Sequence, residues 1–513
     1  MGIIIRQSIK GTVVNYLGIA IGIFTTFFVM TKYLTTEEVG FARVLVDSAV
    51  MFSGLAMLGT SSSAFRFFPY FKKDDSEEDH GFFFWTLVVP FIGFLLYGIV
   101  FLVLKDFVTE SFAERSPLFN DYYYFLFPIG FCYLYMRVFE TNSNLLMRIA
   151  VPNFIREVLV RVLTLAVYFL YAFKIVSLDG FVILFCGVYA VATVVNLFYF
   201  FSLKKIKLKP DFKFITKDLR KDFLFYTGFL VLGALSDYIT PFVNTFFVSA
   251  KLGLAFTGVY TMAVNIVAMV EVPYRSLGSI STPIISRYMK EGNIPEVSAL
   301  CKKVSLNQLL IGSFILYLIW INMDFIYEIM PNGEAYSAAK YVVLILGTSK
   351  LIYTTCCAGV SVISYSKYYY LSLFFSFFLT FIAIFLNNKL IPLYGMNGAA
   401  LATLFSYVSY MAVMLTVIYF TIGVNTFSVD HFKVLALFGV LVSLYLSWST
   451  LVTPAFLSLK TTPFVAALLD CLVKTFVLGV AGVTGAYTWK ISPDFNGIID
   501  KAVLRLIRKP DES

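Results

Sequence analysis

Apolar runs of roughly twenty residues alternate with short polar connections along nearly the whole chain, the length that crosses a bilayer core as an α-helix. About fourteen spans are expected by this rule. They lie near 10–31, 39–66, 81–104, 118–144, 152–174 and 180–203, then 222–250, 255–285, 301–326, 337–363, 367–387 and 395–422, and finally 432–453 and 462–488. The pattern predicts an all-α polytopic membrane protein with two six-helix lobes, 1–214 and 215–428, and two further spans with a basic tail, 429–513. An even count places both termini on one side.

One stretch departs from uniform apolarity. Lys32 to Pro69 carries Arg43 and Asp47 one helical turn apart, together with Gly40, Gly54 and Gly59. A charge at the bilayer centre costs about 2.5–3.5 kcal/mol on insertion scales, so such residues turn toward a bundle interior or a water-filled path. The segment is therefore expected to wall a polar cavity. An echo follows at Lys251 to Arg287, where Gly258 occupies the place of Gly40, Glu271 and Arg275 form the second pair, and Arg287 closes the segment as Arg66 closes the first. Two related halves are implied.

Composition agrees. Of 513 residues, 59% are hydrophobic, 18% aromatic and 14% charged, and the mean hydropathy is +0.82, well outside the soluble range. The net charge of +9 does not indicate nucleic acid, because Lys and Arg sit mainly in short loops where they set topology. With the N-terminus cytoplasmic, one face collects about 25 of the 40 basic residues and the other about 7. Lys204 to Lys221 is the strongest contribution, read as a linker between the halves, anchored at headgroups or docking a partner. Lys72 to His80 is expected as a solvated turn. Met1 to Lys10 precedes an apolar run without a small-residue cleavage site, so a cleavable signal peptide is not expected.

Pro128, Pro241, Pro273 and Pro283 fall inside spans and are expected to bend them, as hinges or as packing kinks. The tail from Asp494 spaces Ile498, Ile499, Val503, Leu506 and Ile507 among Lys501, Arg505, Arg508 and Lys509, which suits a basic amphipathic helix on the inner leaflet or a disordered basic end. Six cysteines suggest no disulfide framework. Both histidines, His80 and His431, are placed in loops, so a zinc protease site or a His-dependent triad is not expected. No Walker A sequence occurs. No cofactor or metal is implied. The outer connections Lys105 to Asn120 and Asn322 to Ser337 are short for an enzyme that holds a glycan at the membrane surface.

The charges within spans carry the chemistry. Arg43, Arg137, Arg156, Arg161, Arg275 and Lys350 facing lipid would together oppose insertion by about 15–20 kcal/mol. Arg43 with Asp47, Glu271 with Arg275 and Asp470 with Lys474 are i,i+4, and Arg137 with Glu140 is i,i+3, so each pair can meet on one helix face. Arg156, Arg161 and Lys350 have fewer local counter-ions, Glu157 adjoining Arg156 on a different face. Unpaired guanidinium groups suit a phosphate, although Arg156 and Arg161 could also snorkel to headgroups. Asp47, Glu140, Asp237 and Glu271 are the candidate coupling or counter-charges.

The order YLTTEEVGFARVL followed by GLAMLGTSSSAFRFFP resembles the opening of the polysaccharide flippases, the oligosaccharide-lipid exporters of O-antigen and capsule type within the multidrug/oligosaccharidyl-lipid/polysaccharide exporter superfamily. A second internal echo, SLDGFVILFCGVYAVATVVNLFYFF from Ser177 with PLYGMNGAALATLFSYVSYMAVMLTVIYF from Pro392, accords with its two-lobe layout. The resemblance implies a V of two lobes around a cationic cavity that accepts the pyrophosphate of an undecaprenyl-linked glycan. It places Arg43, Arg66, Arg275 and Arg287 at positions that are often basic in the family. Arg137, Arg156, Arg161 and Lys350 join them on burial alone.

The expected function is movement of a lipid-linked oligosaccharide from the cytoplasmic to the periplasmic leaflet by alternating access, at a bacterial inner membrane with both termini cytoplasmic. It serves surface polysaccharide biosynthesis such as O-antigen, alongside a polymerase and chain-length regulator of the same pathway. A peptidoglycan lipid-precursor flippase, a cation-coupled multidrug exporter of the same superfamily and, in a different class, a membrane glycan polymerase or ligase are the alternatives.

Overall fold

The computed structural model describes residues 14–71, 80–203, 210, 216–458 and 462–507. The turn 72–79 and most of the basic linker, 204–209 and 211–215, lie outside the described residues, as do Arg508, Lys509 and the rest of the tail. Among the described residues the fold is helical throughout, with no strand. Ten helices are long and apolar enough to cross a membrane, or eleven when Lys340–Cys356 and Ala358–Ser364, bent by 44°, count as one. By contacts the chain forms two compact units, Met1–Thr261 and Met262–Ser513.

In the first unit the helices long and apolar enough to cross are α1 (Val14–Tyr33), α2 (Thr36–Phe71), α3 (Phe82–Val103), α6 (Leu178–Ser202) and α7 (Arg220–Leu252), with α4 (Leu126–Leu145) and α5 (150–172), which carry more charge, between α3 and α6. α8 (Leu254–Lys290) and α9 (Ile294–Ile321) follow, then α10 (Lys340–Cys356), α11 (Ala358–Ser364), α12 (Leu371–Ile422), α13 (Asp430–Phe456), α14 (Pro463–Thr488) and the tail helix α15 (Pro493–Ile507). Helix starts coincide with capping side chains. Thr35 Oγ1 accepts from the Glu38 amide while Glu38 Oε2 accepts from the Thr35 amide, a reciprocal box that opens α2. The Ser177 hydroxyl opens α6 and Asn293 opens α9.

The helices break where the backbone demands it. α2 bends through Leu58 and Gly59, both at positive φ. Pro241 lies in a 3-10 turn within α7, Pro273 follows the 3-10 turn Ala268–Glu271 within α8, and Pro283 sits inside the last part of α8. Pro128 falls in the first turn of α4, where its missing N–H would be unpaired in any case. At about 1.5 Å per residue α12 would run about 78 Å, more than twice a bilayer core; Gly395, at φ 57° and ψ −135°, divides it into two arms.

Aromatic rings fill the first unit: Phe52 of α2 meets Phe94, Phe101 and Phe127 edge-on at 5.4, 5.0 and 6.0 Å. The two halves also share a detail of their connections. Lys105–Ala113 and Pro117–Asp121 form a pair of short helices after α3, and Met323–Ile329 with Gly333–Ser337 form another after α9. They bury Phe112 and Phe119 in one case and Tyr327 and Tyr336 in the other.

The echoed glycines touch. A Cβ on Gly40 would meet the Leu254 carbonyl and the Gly258 nitrogen, and a Cβ on Gly258 would meet the Thr36 carbonyl and the Gly40 nitrogen. Each glycine thus packs on the backbone one turn before and at its counterpart, a reciprocal crossing that only small residues permit. Gly40→Ala or Gly258→Ala is expected to destabilise by about 1–3 kcal/mol, as overpacking does. Gly439→Ala and Gly479→Ala, where nothing lies within 4 Å of the added carbon, are expected to leave stability unchanged or raised; thermal unfolding in one detergent compares the four.

Candidate functional site

The charges within the helices form a same-helix pair and a larger network in the first unit, and a network centred on Glu271 and a separate pair in the second. In the first, Arg43 Nε donates to Asp47 Oδ2 at 2.8 Å along α2, the pair expected from spacing. The larger group runs over α4 and α5. Arg137 lies 3.8 Å from Glu140 Oε2, and Arg156 donates to Glu140 Oε1. Arg156 also donates to Glu157 Oε1 at 3.0 Å and to Asn153 Oδ1 at 3.0 Å. Arg161 completes the series, donating to Glu157 Oε2 at 3.0 Å and to the Gly18 carbonyl of α1 at 2.7 Å. Three guanidinium groups share two carboxylates, an excess of one positive charge.

Here the structure corrects the sequence-based expectation. Arg156 and Arg161 are not short of counter-ions, because Glu157 splits its two oxygens between them. Glu157 reaches Arg156 as its chain neighbour within the π-helical turn Ile155–Leu159 and Arg161 at the ordinary i,i+4 spacing. α1, which lacks carboxylates, contributes small residues and a carbonyl: a Cβ on Gly18 would strike the Glu157 backbone and one on Gly22 the Arg161 guanidinium. Neither glycine was singled out by spacing.

In the second unit Glu271 is the centre. It ends the 3-10 turn and occupies the N-cap position of the following helix without a side-chain capping bond, at the positive end of that helix's dipole. Lys350 Nζ of α10 approaches Glu271 Oε1 at 2.6 Å, and Arg275 stands 3.7 Å from Oε2. Lys350, expected to lack a nearby counter-ion, therefore has one from another helix, which helix spacing cannot reveal. The buried Gln308 amide steadies the break by donating to the Val270 carbonyl at 3.3 Å and to Thr354 Oγ1 at 3.0 Å. Gln308 is a positioning residue missed in the sequence.

Other candidates stand apart. Arg66 is exposed and lies over the Tyr226 ring at 4.1 Å. Arg287 is exposed near the end of α8, 3.8 Å from Glu291 and over Tyr288. Sixteen residues of helix, about 24 Å, separate it from Glu271. Asp237 is exposed on α7, with no ion pair to it among the described residues. His431 is buried in the first turn of α13, not in a loop, its Nε2 3.0 Å from Ser305 Oγ. The cysteines are unpaired, and no group of residues suited to hold a metal occurs among the described residues.

The ion pairs differ in exposure. The side chains of Arg43, Arg137, Arg156 and Arg161 keep 31–39% of their surface accessible, whereas Lys474 and Asp470 keep 10% and 6%. Asp470 Oδ1 also accepts from the Trp448 indole at 2.9 Å and from Thr453 at 3.1 Å, so both carboxylate oxygens are bonded within helices α13 and α14. It is a structural clamp. Asp470→Asn is expected to cost about 3–5 kcal/mol by leaving Lys474 uncompensated, and the double change Asp470→Asn with Lys474→Met to recover most of it; a double-mutant cycle of thermal unfolding checks both.

No curated protein matches the sequence. Residues 8–289 match the family described as polysaccharide biosynthesis protein. Among solved structures the chain is similar to the lipid II flippase MurJ in an inward closed conformation, at a TM-score of 0.65 and 14% identity, covering 92% of this chain and 98% of that one. It is also similar to a multidrug resistance MATE family transporter of the MOP superfamily in an inward-facing conformation, at 0.59 and 15% over 80% and 94% of the two chains. A mutant of the Vibrio cholerae MATE transporter VcmN gives 0.54 and 13% over 81% and 96%. At these identities the likeness is one of fold.

Proposed function

Because the chain belongs to the polysaccharide biosynthesis protein family, we propose that it is a flippase, and not an enzyme, which carries an undecaprenyl-diphosphate-linked oligosaccharide from the cytoplasmic to the periplasmic leaflet for surface polysaccharide such as O-antigen or lipopolysaccharide. The observation that carries this reading is the network Arg137–Glu140–Arg156–Glu157–Arg161, built on membrane-embedded helices with one positive charge in excess and accessible guanidinium faces. A diphosphate presents oxygens that match the guanidinium fork better than a lone carboxylate does. The substrate then displaces carboxylates from arginines that are already desolvated and oriented, and the carboxylates take the arginines back once it leaves. Arg43 is assigned the same role toward Asp47, and Lys350, held by Glu271, is assigned to the glycan part of the substrate. Arg66, Arg275 and Arg287, more exposed, are assigned to approach of the headgroup.

The proposal counts fourteen spans by adding to the ten apolar helices the bent pair α10 and α11, the charged helices α4 and α5, and the second arm of α12. In this proposal lobes 1–214 and 215–428 alternate access around the substrate, 429–513 is an appendage, and both termini are cytoplasmic in a bacterial inner membrane. Moving one negative charge outward gains about 2.3 kcal/mol per 100 mV when the inside is negative, so the potential favours export of the diphosphate. Asp47, Glu140, Asp237 and Glu271 remain the coupling candidates, and a polymerase and chain-length regulator the pathway partners.

Similarity to a lipid II flippase favours a second reading, in which the cargo is a peptidoglycan precursor. Depletion of the protein followed by mass spectrometry of the inner-leaflet lipids decides between them. An accumulating undecaprenyl-diphosphate oligosaccharide with a repeat-unit composition supports the first reading, an accumulating peptidoglycan precursor supports the second, and no accumulating lipid-linked glycan contradicts both.

A further inference from the structure

The second unit holds a group whose chemistry differs from that of the arginine network. Lys350 and Tyr353 are i,i+3 on α10 and share a face. The Tyr353 ring stands 4.7 Å from that of Tyr407, on the second arm of α12, at an angle of 33°. Lys350 Nζ, bound to Glu271, lies 5.8 Å from the centre of the Tyr407 ring. Two tilted phenol rings are thus set beside a carboxylate and an ammonium, within one unit and on three helices.

Both rings are half-buried. By contrast Tyr260 and Tyr336 are enclosed at 2% and 1%. Arg275, whose side chain is 69% exposed, adds a second cation at the margin. This combination is poorly suited to a diphosphate: it offers one point-charge ammonium, already held by a carboxylate at 2.6 Å, in place of several forked donors. It suits a sugar. A pyranose has an apolar C–H face that lies against an aromatic ring, and a rim of hydroxyls that both donate and accept. Glu271 supplies the acceptor, Lys350 the donor and Tyr407 with Tyr353 the ring surface, all prepositioned by the Gln308 contacts that hold the break in α8.

We propose that Tyr353, Tyr407, Lys350 and Glu271 form a sugar-binding platform that recognises a pyranose of the lipid-linked glycan, separately from the diphosphate. The proposal rests on the flippase reading above. Tyr353 and Tyr407 are specificity-determining residues, and Arg275 extends the platform toward acidic sugars.

The test is native mass spectrometry of the full chain with undecaprenyl diphosphate, and with the same lipid carrying a hexose, an N-acetylhexosamine or a uronic acid. At least one sugar-bearing lipid is expected to bind the unaltered protein more tightly than the bare diphosphate. Tyr407→Leu and Tyr353→Leu are each expected to reduce that preference about three- to tenfold, while Tyr407→Phe keeps it and the bare lipid binds all variants alike. Equal affinity of the unaltered protein for all four lipids overturns the platform. So does a leucine variant that keeps the sugar preference, or one that weakens bare and sugar-bearing lipids by the same factor. If none of the four lipids binds the unaltered protein, the flippase reading itself fails and the platform with it.

Discussion

A cation on a membrane-embedded helix must be neutralised, hydrated or given a polar partner, because its transfer to the bilayer centre is unfavourable by several kcal/mol. This constraint shapes the chain more than any other. Carboxylates on the same or neighbouring helices meet the cations: Asp47 for Arg43, Glu140 and Glu157 for Arg137, Arg156 and Arg161, and Glu271 for Lys350 and Arg275. The helices carry these groups in positions set by their breaks. The π turn of α5 aims Glu157, and the 3-10 turn of α8 aims Glu271. Irregular backbone at membrane depth persists only where protein or a cavity satisfies it, and here Gln308 takes up the Val270 carbonyl.

The degree of enclosure then decides function. Asp470 and Lys474 are enclosed, and both Asp470 oxygens are hydrogen-bonded, which suits a clamp between α13 and α14. The arginine pairs of α4 and α5 are partly open. In the proposed flippase a diphosphate, whose oxygens match the guanidinium fork, replaces these carboxylates, and the pairing keeps the arginines neutralised in the empty state.

Much of this was legible in the pattern of residues, and the parts that were not have a common cause. Apolar length located the ten or eleven helices among the described residues that are long and apolar enough to cross a membrane, and the i,i+4 rule identified Arg43 with Asp47 and Asp470 with Lys474, because both depend on order along one helix. Glu157 with Arg161 is also i,i+4 and was legible by the same rule; what spacing does not show is that the same carboxylate bonds its chain neighbour Arg156 through its other oxygen. Lys350 with Glu271, Arg66 on Tyr226 and the Tyr353–Tyr407 stack join residues far apart in the chain, and only folding brings them together. The repeat of Gly40 at Gly258 was visible as an echo. That the two glycines pack against each other was not, although the demand for a residue without a side chain at both places was the signal.

The central claim is that carboxylates hold the α4–α5 arginines in reserve for a diphosphate. Equilibrium binding of undecaprenyl diphosphate to the full chain and to Glu157→Gln tests it most directly. Removing a competing charge is expected to tighten binding by about fivefold for each arginine freed, and Arg156→Gln and Arg161→Gln to weaken it. If Glu157→Gln remains folded but binds the lipid no more tightly, and the arginine variants bind it as well as the unaltered protein, the network is structural and the account is contradicted.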